Sequence, residues 1–192
     1  VILAVTRSVD ETRALAAALA ELARPGDIVV LAGDLGAGKT AFAQGFGAEL
    51  GVAERITSPT FTLVNQYRDG RLALNHLDVY RLDGPDEVLD LGLTELLDEG
   101  GVTLIEWGDT ITPALPADFC EIRIRLGEGE DDRILEIQTV GHRWSARTRA
   151  LANALATWAL PGLDLPAEGT APEGRLPRDP EARHPEDGGD PC

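Results

Sequence analysis

Val29-Val30-Leu31-Ala32-Gly33-Asp34-Leu35-Gly36-Ala37-Gly38-Lys39-Thr40 decides how the rest of the chain is read. An apolar run of strand length leads into a loop that fits G-x-x-x-x-G-K-[ST], the phosphate-binding P-loop. Gly33, Gly36 and Gly38 let the backbone approach a polyphosphate without Cβ clashes, so successive N–H groups can point inward as a nest of donors. Lys39 brings a mobile positive charge to β- and γ-phosphates, and Thr40 brings a hydroxyl for Mg²⁺. The helix that follows aims its positive end at the same place. Phe42, Phe46 and Leu50 recur at four-residue spacing and put an apolar stripe on that helix. Lys39 is the chain's only lysine, so a composition that otherwise relies on arginine has one where the motif requires it.

Upstream of the motif, residues 1–5 read as a first strand and Ser8-Val9-Asp10-Glu11 as a capping box that starts a helix. Leu15, Leu19 and Leu22 carry the helical stripe until Pro25-Gly26 stops it, and a strand begins at Asp27. Downstream, Gly51 reads as a helix stop. Residues 56–64 combine a Ser58-Pro59-Thr60 turn with a β-branched strand, and Asp69-Gly70 turns the chain into a returning strand over 72–78 that ends on Asp78. Brief helices are predicted over 85–90 and around Leu93, Leu96 and Leu97. A buried strand over 102–105 follows, closed by Glu106-Trp107. Phe119–Leu126 and Arg133–Val140 alternate as a late antiparallel hairpin, and Ser145 is placed to cap a last helix carrying Leu151, Leu155 and Trp158.

The composition narrows the function classes. At 192 residues and 43% hydrophobic, the chain has room for one core plus a tail. A formal charge of −16 argues against a general nucleic-acid-binding surface, which needs clustered Lys and Arg. No apolar run reaches the roughly 20 residues of a membrane span, so a soluble, cytoplasmic protein without membrane contact is expected. Cys120 and Cys192 are too few and too ill-placed for a disulfide framework or a metal knuckle. Residues 161–192 hold seven prolines and eight acidic residues and are expected to be a disordered tail. The chain opens at Val1 without any methionine, which predicts that residues precede it in the translated product.

Hydrolysing a nucleotide requires a metal held against the phosphates, a carboxylate for it or its water, and a group that senses the γ-phosphate. Glu106 closes an apolar strand, where an acid can reach such a metal. Asp78 has the same placement on another strand. Thr60 can offer a second hydroxyl from a loop that reorders with the γ-phosphate. His76 reads as a hydrogen-bonding residue, since no metal-ligand spacing surrounds it. Trp107 reads equally as core, partner surface or nucleotide contact, and Arg81 as a phosphate contact or the ion-pair partner of Asp83.

Four blocks in order resemble the TsaE (YjeE) family, the bacterial ATPase of tRNA threonylcarbamoyladenosine biosynthesis: the P-loop, Ser58-Pro59-Thr60-Phe61-Thr62-Leu63-Val64, His76-Leu77-Asp78-Val79-Tyr80-Arg81-Leu82 and Ile105-Glu106-Trp107. The resemblance covers residues 1–144, to the closing Gly141-His142-Arg143-Trp144. A C-terminal helix over 145–160 matches loosely and the tail over 161–192 lies outside it. The expected fold is α/β, a P-loop NTPase-like three-layer sandwich whose mixed, mostly central β-sheet is flanked by helices. The resemblance implies that Gly33, Asp34, Leu35, Gly36, Ala37, Gly38, Lys39, Thr40 and Ala41 bind ATP, that Thr40 and Glu106 hold Mg²⁺, and that Ser58 and Thr60 form a switch. Lys39, Glu106 and Asp78 are then the catalytic set, and Thr12 falls in a segment that helps enclose the adenine. It further implies that ATP drives a complex with TsaD and TsaB, which modify adenosine 37 of tRNA, so that tRNA is met only indirectly.

A GTPase is excluded because its Asn-Lys-x-Asp motif needs a second lysine. A small-molecule or nucleoside kinase remains the enzymatic alternative, although the region after Asp78 is acidic where a kinase lid is usually arginine-rich. A nucleotide-gated binding module with incidental hydrolysis is the alternative of another class.

Overall fold

The structure is a computed structural model that describes residues 1–82, 87 and 92–160. Among these residues seven strands form one sheet: β1 (Ile2–Thr6), β2 (Ile28–Ala32), β3 (Val64–Tyr67), β4 (Leu74–Asp78), β5 (Val102–Glu106), β6 (Phe119–Leu126) and β7 (Arg133–Val140). Their spatial order is β1-β7-β6-β2-β5-β4-β3. β2 is central, with β5 and β6 parallel to it on either side, and β4 runs parallel to β5. β3, β7 and β1 pair antiparallel with their neighbours. The sheet is therefore mixed, and every residue of β2, β4 and β5 is buried, as expected of strands covered on both faces.

Helices cover both faces. On one side α1 (Val9–Ala20) and α2 (Lys39–Glu49) join α5 (Thr148–Ala154) over a core containing Leu15, Leu19, Phe42, Phe46, Leu104, Trp144 and Leu151. On the other, α3 (Leu93–Asp98) and a 3₁₀ helix over Gly108–Ala114 cover Val30, Leu77, Ile105 and Phe119. Cys120 is wholly buried in the larger core, and that burial pushes its thiol pKa up. α1 and α2 pack closely at Gly45, where a Cβ would sit 2.2 Å from the Arg13 carbonyl oxygen. α1 begins at its expected N-cap, the Ser8 hydroxyl accepting from the Glu11 N–H at 3.1 Å, but the Glu11 carboxylate reaches one residue further back than a capping box requires and accepts from the Arg7 N–H at 2.7 Å.

Two local expectations are corrected. Residues 56–63 do not form a strand, and β3 begins only at Val64. Pro59 has no N–H for a ladder, and the Ser58 and Thr60 hydroxyls both bond Asp78, which holds the segment as a loop. The loop closes through Leu63, in a left-handed conformation at φ 62°, whose N–H donates to Pro59 and whose carbonyl accepts from Asp78. Ser145 does not cap the last helix. It ends a short α4 (Gly141–Ser145), donating to the Gly141 carbonyl, and α5 starts after Arg147, whose side chain is anchored in the interior. Beyond α5 the chain lies along the outer edge of β1, with Ala159 bridging Ala4. The helix expected over 85–90 and the tail over 161–192 lie outside the described residues, Glu87 excepted. No helix among those described is long and apolar enough to cross a membrane.

Candidate nucleotide site

β2, β4 and β5 end side by side. The register sets Leu31 and Asp78 each opposite Glu106, so two carboxylates arrive beside the strand from which the P-loop departs. Gly33 turns the chain off β2 at φ 134°, and a Cβ there would lie 2.2 Å from the Ile124 carbonyl oxygen. Only glycine satisfies both the conformation and the close approach. The loop is tightened by Ala37 N–H donating to Asp34 O at 3.1 Å, and α2 starts at Lys39 after Gly38 at φ 110°. From outside, Arg133 at the start of β7 donates its Nε–H to Ala37 O at 2.9 Å and Nη1 to the carbonyls of Glu130 and Asp132. The hairpin is thus tied to the loop.

A groove of about 380 Å³ opens over this loop, lined by Leu35, Gly36, residues 38–41, Ser58, Thr60, Asp78, Tyr80, Glu106 and Trp107. Thr40 Oγ1 lies 3.2 Å from both oxygens of Glu106. His76 Nε2 is 2.9 Å from Glu106 Oε1. Asp78 Oδ2 accepts from Ser58 Oγ at 2.6 Å and Thr60 Oγ1 at 2.8 Å, while Oδ1 accepts from Tyr80 N–H at 3.0 Å. Lys39 Nζ donates to Gly33 O at 2.6 Å and Asp34 O at 2.8 Å, and stands 3.5 Å above the Trp107 ring. Burial lowers the Lys39 pKa, against the carboxylates of Glu106, Asp78, Asp109 and Asp34. A larger depression of about 690 Å³ lies between α1 and α2, but its lining brings together no acid–hydroxyl cluster, so size alone does not mark the site.

Most of the predicted site residues therefore converge. Gly33, Asp34 and Ala37 shape the loop from behind, and Leu35 stands exposed at its tip. Thr12 does not line the groove: it is buried in α1, its hydroxyl bonded to Thr6 Oγ1 at 2.7 Å and to Ser8 O at 3.2 Å. Arg81 stacks over the Phe61 ring at 4.6 Å. Trp107 lines the groove in a left-handed conformation at φ 63°, a costly backbone state for a bulky residue that turns its ring back over Lys39. Sequence reasoning left Trp107 open and did not single out Arg133, which carries no local signal at the base of a hairpin strand. The arrangement offers hard oxygen donors, Thr40 Oγ1 and the Glu106 carboxylate, beside one cation and an amide-rich turn, a donor set that fits Mg²⁺ and a polyphosphate.

A family model described as "Threonylcarbamoyl adenosine biosynthesis protein TsaE" matches residues 6–135. The tRNA threonylcarbamoyladenosine biosynthesis protein TsaE of Bacillus subtilis (strain 168) is 45% identical over 135 residues, 70% of this chain and 84% of that protein. Its counterpart in Streptomyces coelicolor is 40% identical over 140 residues, 69% of this chain and 93% of that protein. Among solved structures, Bacillus subtilis YdiB superposes with a TM-score of 0.67 at 39% identity, covering 79% of this chain and 94% of that one. Sequence blocks, sheet topology and relatives agree, and the chain belongs to the TsaE family.

Proposed function

We propose that this protein binds ATP with Mg²⁺ and hydrolyses it, and that the cycle drives the TsaB–TsaD pair in forming threonylcarbamoyladenosine on tRNA. The observation that carries the proposal is the meeting of the P-loop hydroxyl of Thr40 with the strand-tip carboxylate of Glu106, 3.2 Å apart across 66 residues of sequence. The inward amides of the P-loop and the Lys39 ammonium bind the phosphates, and α2 adds its positive end. Thr40 and Glu106 would hold Mg²⁺, which would neutralise charge on the phosphates. Asp78 holds the Ser58 and Thr60 hydroxyls, so the loop that senses the γ-phosphate is latched by a carboxylate of the site itself. The formal charge of −16 supports a division of labour in which the partners contact tRNA.

The test is ATP turnover by the full chain, alone and with TsaB–TsaD, with and without Mg²⁺. Slow metal-dependent release of inorganic phosphate, accelerated by the pair, is expected. Absence of turnover in every combination would leave a nucleotide-gated binding module, and phosphate recovered on a small acceptor would make the protein a kinase.

A further inference from the structure

His76 lies within β4 with no exposed surface, on a strand whose Leu74 and Leu77 are equally buried. An imidazole is a costly occupant of such a position unless its polar atoms are used, because leucine or phenylalanine would fill the space without desolvating a ring nitrogen. Nε2 lies 2.9 Å from Glu106 Oε1, whereas Nδ1 has no hydrogen-bond partner among the described residues. The ring therefore has one polar task. A carboxylate accepts, so Nε2 is the donor of this bond. The register pairs His76 with Leu104 and Asp78 with Glu106, so the buried imidazole, one register step back from the strand tips, reaches diagonally to the carboxylate.

We propose that His76 is a positioning residue for the metal-side carboxylate: its Nε2–H fixes Oε1 of Glu106, and with it the plane of a carboxylate whose two oxygens both lie 3.2 Å from Thr40 Oγ1. This rests on the reading of Glu106 as a ligand of Mg²⁺ or of its water. Without the bond, the Glu106 carboxylate keeps only the Thr40 hydroxyl as a partner among the described residues, and its terminal torsion is no longer set in advance. Outer partners that orient a ligating group are worth about 10–100-fold in metal affinity.

The test measures Mn²⁺ affinity of the full chain with a non-hydrolysable ATP analogue, by electron paramagnetic resonance, beside analogue affinity in EDTA. Mn²⁺ stands in for Mg²⁺ because both take octahedral oxygen ligands. His76→Phe should weaken Mn²⁺ binding about 10–100-fold and leave affinity in EDTA within about twofold, and His76→Gln, whose amide N–H can replace Nε2–H, should recover most of the loss. Wild-type Mn²⁺ affinity in His76→Phe overturns the proposal, as does an equal fall in EDTA, which would mark a general collapse of the site. If His76→Phe does not fold, His76→Asn decides: its donor is too short to reach Glu106, so unchanged Mn²⁺ affinity overturns the proposal. Glu106→Ala separates the two layers of argument, because wild-type Mn²⁺ affinity in that variant defeats the metal-site reading itself, whereas its loss together with an unaffected His76→Phe defeats only the role of His76.

Discussion

Asp27, just before β2, and Glu106, beside its far end, are both buried carboxylates, yet their surroundings are built in opposite ways. Asp27 is fully paired. Its two oxygens accept from Arg147 Nη1 at 2.7 Å and Nη2 at 2.8 Å, and Oδ2 also accepts from the Arg24 N–H at 2.8 Å. Arg147 is satisfied in turn by the carbonyls of Leu22 and Arg143, and its guanidinium stacks 4.1 Å over the Trp144 ring. At the other end, Glu106 has a histidine and a threonine hydroxyl but no arginine, Asp78 has two hydroxyls and an amide, and Lys39 is turned to backbone carbonyls. A closed ion pair anchors the C-terminal helices to the sheet. The cluster at the other end is rich in carboxylate and short of cations, which is what the proposed Mg²⁺ site would need.

The largest effect is expected where the pairing is complete. Asp27→Asn keeps the shape of the side chain but leaves Arg147 buried without its counter-charge, which should cost about 3–5 kcal/mol in urea denaturation. A loss below about 1 kcal/mol would mean that the guanidinium finds water or another acceptor, and the contrast between the two ends would weaken.

Lys39→Ala comes next. It removes the one lysine of the groove and should weaken ATP binding by about 1.5–3 kcal/mol, roughly ten- to a hundredfold, while the melting temperature without nucleotide stays close to that of the wild type. Isothermal titration with ATP reads this directly, and an unchanged affinity defeats the P-loop assignment.

How much of this could be read in advance depends on the distance over which each contact acts. The P-loop was legible because its chemistry is local: glycines, lysine and threonine occupy consecutive positions, and the flanking strand and helix follow from periodicity. Asp78 and Glu106 were legible as acids closing apolar strands. The contacts that hold those groups were not, because His76 and Glu106 are 30 residues apart, Ala37 and Arg133 are 96 apart, and Asp27 and Arg147 are 120 apart. Pairings of that kind follow from strand order, which periodicity does not encode. The error at residues 56–63 has the same origin: β-branched composition favoured a strand, and a carboxylate on β4 captured the loop hydroxyls instead.

Thr60→Ala tests whether the loosely held end responds to its ligand. Asp78 keeps Ser58 as a partner, so the variant should lose at most about 1 kcal/mol of nucleotide affinity, roughly fivefold. The preference of TsaB–TsaD for the ATP-bound over the ADP-bound protein should disappear, as measured by titrating the pair in each nucleotide. Retained discrimination would remove Thr60 from the switch.

Glu106→Gln is the counterpart of Asp27→Asn, the same carboxylate-to-amide change at the other end of the comparison, and its expected effect on stability is the smallest. The amide oxygen can still accept from His76 Nε2 and from Thr40, so both hydrogen bonds survive. What disappears is a buried negative charge that has no arginine opposite it. Urea denaturation without nucleotide should therefore give a stability within about 1 kcal/mol of the wild type, on either side, because binding groups held without their ligand commonly add little to the fold. Metal-dependent ATP hydrolysis should nevertheless be lost. A destabilisation approaching that of Asp27→Asn would show that Glu106 is as much a structural anchor as Asp27, and the proposed division between the two ends of the sheet would fall.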